Sequence, residues 1–74
     1  MSIEEKVQAL VLDKLGVKPN EIEANEPLCE DSTELVELVV GLKKEFGLDI
    51  ANGEIKIDDT FDQVIAFLKS KGAA

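Results

Sequence analysis

Chemistry has few places to sit in this chain. The sequence contains no His, Tyr or Trp, and one Cys, Cys29. A Ser–His or Cys–His nucleophile–base pair therefore cannot be assembled within it. No Gly-rich phosphate loop appears either. Acid pairs such as Asp58-Asp59 occur, but with 16 Asp and Glu against 8 Lys and Arg they read as solvated surface. We expect no catalytic residue, no metal ligand set and no enzyme activity. What is left is Glu30-Asp31-Ser32-Thr33-Glu34-Leu35. Here a serine opens a strongly periodic apolar segment and follows a long stretch without period. At a helix N-terminus, unpaired N–H groups and the positive end of the dipole favour a phosphate. An exposed Ser32 hydroxyl is thus a good attachment point for a phosphorylated group. The same residues also suit ordinary capping, with Asp31 as N-cap and Glu34 completing an Asx version of the capping box. On the residues alone both readings stand.

The elements that would hold Ser32 can be read from periodicity. Ile3, Val7, Leu10, Val11 and Leu15 recur at three and four, which predicts a helix over 3–15. Ser2 and Glu5 make its capping box, and Gly16 stands at its end. Residues 16–30 read as a long connection in which Ile22 and Leu28 anchor the chain to the core. Leu35, Leu38, Val39, Leu42 and Phe46 predict a second helix over 32–46, stopped by Gly47. Val36 and Val40 widen its apolar face, so it is expected to be the central helix touching several neighbours. Residues 48–59 are poorly patterned. Asn52-Gly53 is a turn signal, and a short helical turn between Asn52 and Ile57 is expected there. The alternation in Glu54-Ile55-Lys56-Ile57 is not read as a strand, because nothing could pair with it. A last helix over 60–70 presents Phe61, Val64, Ile65 and Leu68, widened by Phe67 and capped by Asp59 or Thr60. Cys29 is expected to be a small buried apolar side chain rather than a reactive thiol.

Size and charge bound the rest. At 74 residues the chain is expected to form one domain spanning 1–74, held by an apolar core without disulfide or zinc. A formal net charge of −8 repels phosphate backbones and anionic membrane surfaces, which argues against nucleic-acid binding and membrane insertion. Basic protein surfaces are the natural complement, and self-repulsion favours a monomer. No targeting signal or membrane-length apolar run is visible, so a reducing cytoplasm is the expected location.

Taken together, these segments resemble the acyl carrier protein family. Ser2-Ile3-Glu4-Glu5-Lys6-Val7 and Leu15-Gly16-Val17-Lys18 are similar to that family's first helix and its exit. STELVELVVGLKKEF, Ser32 to Phe46, resembles its second helix, and Thr60-Phe61-Asp62-Gln63-Val64-Ile65 its last. The resemblance implies an all-α four-helix bundle with a short third helix and a long loop between helices one and two. It implies 4′-phosphopantetheine, moved from coenzyme A to Ser32 by a phosphopantetheinyl transferase, with Asp31 beside the attachment point. The arm's thiol would hold acyl intermediates as thioesters, in fatty-acid or specialised lipid or secondary-metabolite synthesis. Asp31, Glu34 and Glu37 match acidic positions that meet basic docking patches on synthases or ligases, and Thr33 stands where the family offers partners an apolar contact beside the serine. The chain also departs from the family. Asp-Ser-Leu is Asp-Ser-Thr here, the loop before the serine is shorter, and Lys43-Lys44 stand where the family is acidic. These departures imply a specialised carrier. A D-alanyl or peptidyl carrier, and an unmodified acidic interaction module, are the other readings.

Overall fold

Apolar residues recurring at three and four become three α-helices in a computed structural model, which describes residues 2–51 and 53–73. They are α1 (Ile3–Leu15), α2 (Ser32–Phe46) and α3 (Phe61–Ser70), with a single 3-10 turn at Pro19–Glu21. The class is all-α, as expected. Among the described residues the only β pairing is one isolated bridge between Pro27 and Thr60.

Each helix starts where its capping residue stands. The Ser2 hydroxyl accepts from the Glu5 N–H at 3.2 Å, and the Glu5 carboxylate accepts in return from the Ser2 N–H at 3.2 Å. Thr60, not Asp59, caps α3, and Gln63 completes the box. At the other end of α2, Gly47 takes the left-handed conformation, φ 64, which a side chain would disfavour; this stops the helix directly after Phe46.

The buried apolar side chains form one cluster: Ile3, Val7 and Val11 from α1, Leu38 and Leu42 from α2, and Phe61, Val64, Ile65 and Leu68 from α3. Leu28, Cys29, Ile50 and Ile55 enter it from the connections. α1 lies against both α2 and α3. The sequence pointed instead to α2 as the central helix, and the difference has a clear cause. Val36 and Val40, which broadened the α2 stripe, are 60% and 43% exposed. Among the described residues no element buries them fully. At Gly41 α2 lies close against α1: a Cβ there would stand 2.7 Å from Leu10 Cδ1, so the Leu10 side chain would have to shift.

The expected short third helix does not form among the described residues. Asn52, part of that expectation, lies outside them. Two separate turns replace the helix. Glu54 N–H donates to Ala51 O while the Glu54 carboxylate accepts from the Ala51 N–H at 2.8 Å. Asp59 N–H donates to Lys56 O, and the Asp59 carboxylate accepts from the Lys56 N–H at 2.9 Å. Each acid thus satisfies its own turn locally and competes with helix propagation. A helix of one or two turns is marginal in any case. Burial of Ile50 and Ile55 then pins the segment down. A Lys71–Glu54 ion pair at 2.9 Å and a Lys69–Glu4 pair at 3.4 Å tie α3 to its surroundings, each contributing little at the surface.

Candidate functional site

The loop that delivers Ser32 is fastened just before it. Ile22 is half-buried against the core, and Leu28 and Cys29 are buried. The Leu28 N–H donates to Asp59 O at 3.1 Å, which joins the loop to the segment entering α3. The chain then surfaces at Glu30, and α2 begins at once. Asp31 is the N-cap: its carboxylate accepts from the Glu34 N–H at 2.9 Å. The return half of the expected box is displaced by one residue. The Glu34 carboxylate accepts from the Glu30 N–H at 2.7 Å rather than from Asp31. Asp31 and Glu34 together hold the last loop peptides onto the first turn of α2.

Ser32 is the first residue of α2 and is exposed. Capping falls to Asp31, so the Ser32 hydroxyl is not consumed by the helix start. The chain's other serines are engaged: the Ser2 hydroxyl caps α1, and the Ser70 hydroxyl donates to Phe67 O at 2.7 Å. Thr33 and Glu37 are exposed and Glu34 is half-buried, all on the first two turns of α2. The structure therefore brings Asp31, Ser32, Thr33, Glu34 and Glu37 together at one end of one helix. Among the described residues no group of three or more His, Cys, Asp and Glu is placed to hold a metal ion.

Cys29 reports the local field. Its thiol is buried, and its pKa is pushed up to about 11, first by desolvation and then by the negative charges of Glu34 and Asp31. It stays protonated and shielded at neutral pH. We expect folded protein to resist iodoacetamide at pH 8, with intact mass showing modification only after denaturation. Rapid alkylation of native protein would mean that the loop opens readily.

A groove lies along the exposed side of α2. It has a volume of about 150 Å³ and is walled by Leu35, Val36, Val39 and Val40 on the helix and Ile55 opposite, with Lys43 at its edge. Val36 follows Ser32 by four residues and Val40 follows Val36 by four, so the serine and the groove share one face. Sequence reasoning missed this groove. The signal was present in Val36 and Val40, which exceed what a core-facing stripe requires.

The arrangement fits a phosphopantetheine group. Ser32 offers an exposed hydroxyl at a positive helix end, and an apolar channel begins one turn away. A family described as "Phosphopantetheine attachment site" matches residues 5–68 of the chain. The chain belongs to the acyl carrier protein family. The acyl carrier protein of Nitratidesulfovibrio vulgaris is 33% identical over 75 residues, covering 96% of this chain and 99% of that protein. That of Thermosynechococcus vestitus is 41% identical over 74 residues, covering 95% and 91%. That of Bdellovibrio bacteriovorus is 33% identical over 78 residues, with both chains covered in full. No solved structure matches the chain. As an acyl carrier protein, the chain is a carrier rather than a catalyst, and its prosthetic group is covalently held 4′-phosphopantetheine. That role places it in contact with a phosphopantetheinyl transferase and with synthases. Among the described residues no helix is long and apolar enough to cross a membrane.

Proposed function

We propose that Ser32 bears the arm, and that the protein carries acyl intermediates of fatty-acid or specialised lipid or secondary-metabolite synthesis in the cytoplasm. The observation that carries the site is simple. Ser32 is the exposed serine at a helix start whose cap is made by its neighbour, while Ser2 and Ser70 are tied into their own helix ends. When attached, the arm supplies the thiol that holds an acyl group as a thioester. Everything else is the work of this chain's own residues. Asp31 holds the first turn, and the positive end of the helix there would favour the arm's phosphate. Asp31, Thr33, Glu34 and Glu37 present the docking surface to basic patches on transferase, synthases or ligases. The relatives named above favour an acyl cargo over a D-alanyl or peptidyl one.

The deciding experiment is intact mass after incubation with coenzyme A, Mg²⁺ and a broad-specificity phosphopantetheinyl transferase. A gain of one phosphopantetheinyl group is expected, and peptide mapping should locate it at Ser32. No gain, with a control carrier modified in the same tube, would return the chain to the unmodified-module reading.

Loading with a medium-length acyl group should raise the melting temperature above that of the arm alone. Each methylene buried against Val36, Val40 and Ile55 contributes up to about 0.8 kcal/mol. Equal melting temperatures would show that the cargo stays in solvent.

A further inference from the structure

The exposed face of α2 that carries Val36 and Val40 bears both signs of charge. Glu37 stands towards its start and Lys43 and Lys44 at its end, while Glu45, also exposed, lies off that face on the last turn. Val36 and Val40 are two of the chain's exposed large apolar side chains. Lys44 follows Glu37 by seven residues and Lys43 follows Val36 by seven, so Glu37, the two valines and the two lysines share one face. Glu37 and Lys44 are about 10 Å apart along the axis by helical rise. That is close to the screening length at physiological salt, so a partner in contact feels the two signs separately rather than as a cancelled sum. The ion pairs found among the described residues use Lys14, Lys69 and Lys71; Lys43 and Lys44 are in none of them. On a chain of net charge −8, two adjacent cations without an ion pair among the described residues, beside a part-exposed apolar pair, make a composed surface.

We propose that Lys43 and Lys44 select the docking partner. The surface that fits is a protein face basic opposite Glu37, apolar opposite Val36 and Val40, and acidic opposite the two lysines. A partner that is basic along its whole length is drawn to the first half of α2 and repelled by the second. Discrimination of this kind comes from the repulsive element as much as from the attractive one. The inference rests on α2 being the arm-bearing helix, and it concerns which enzymes that helix admits. A purely structural account of the lysines exists, since cations near a helix C-terminus complement its dipole. It makes a different prediction for binding.

The test measures binding rather than turnover, in a Ser32→Ala background, so that it stays readable whatever residue bears the arm. The probe is a broad-specificity phosphopantetheinyl transferase with a uniformly basic docking surface, titrated at low and high salt. Lys43→Glu with Lys44→Glu should bind about tenfold tighter than the background protein at low salt, with the gain fading as salt rises. Lys43→Gln with Lys44→Gln, which removes charge without reversing it, should show a smaller gain of the same sign. Unchanged or weaker binding in both pairs, with a lowered melting temperature, would overturn the proposal and leave the lysines as dipole complements. Failure of arm attachment at Ser32 would appear separately, in the mass experiment on the unsubstituted protein.

Discussion

Ser32→Ala is expected to abolish phosphopantetheine attachment completely while leaving the melting temperature essentially unchanged. The two halves of this expectation have different causes. Attachment needs an exposed nucleophilic oxygen at the head of α2, and the remaining serines have theirs bound within α1 and α3 end structures. Stability needs the cap, and the cap is Asp31. Ser32 is exposed, and alanine is a good helix former, so the change should stay within about 0.5 kcal/mol. The contrast is Asp31→Ala. That variant leaves the Glu34 N–H without its carboxylate partner, which costs about 1 kcal/mol. In a chain of this length, that lowers the melting temperature by about 4–8 °C. Intact mass and thermal melting on the two variants therefore read chemistry and structure independently. A Ser32→Ala protein that still gained the group would move the attachment site elsewhere. A Ser32→Ala protein that melted much lower would mean that the serine, not Asp31, secures the helix start.

What the sequence showed in advance divides along a physical line. The three helices and their ends were legible because apolar period and capping chemistry are local. Ser2 with Glu5, Asp31 with Glu34, and Gly47 after Phe46 each act within one turn of chain. The loop anchors were legible for a related reason, since Ile22 and Leu28 are isolated apolar residues with nowhere else to go. The segment after α2 was not. Whether residues 51–59 make one short helix or two turns depends on side-chain acids competing for the same N–H groups, at energies too close for pattern reading. The groove was not legible either. Val36 and Val40 look like core until the packing of the described residues shows that they stay part-exposed, with Ile55 across a groove from them. The same holds for Gly41, whose close contact with Leu10 exists only once α1 and α2 are packed. Ser32 stood out by its position, but its availability emerged only when the hydrogen bonds of Asp31, Ser2 and Ser70 were in place.

Leu42→Ala should destabilise the protein by about 3 kcal/mol, within the range found for truncating a fully buried leucine. Leu42 is 0% exposed and sits where α2 meets the shared core, with Val7 and Val11 of α1 and Val64 and Leu68 of α3 equally enclosed. Removing its isopropyl group leaves a void that the neighbouring helices, already in contact, cannot readily fill. A domain of this length has a total stability of roughly 4–11 kcal/mol, so the loss is a large share of the whole. The expected fall in melting temperature is about 12–24 °C. Val36→Ala is the matched control on the same helix. Its side chain is 60% exposed, so truncation removes little buried area and should cost under about 0.5 kcal/mol. Equilibrium denaturation of both variants separates the two apolar sets of α2. Comparable losses at the two positions would mean that the valines are part of the core after all, and the groove beside Ser32 would then have no claim on a cargo. A large loss at Leu42 with almost none at Val36 would show that α2 keeps one apolar row for the fold and a second, energetically idle row facing outward beside the attachment point.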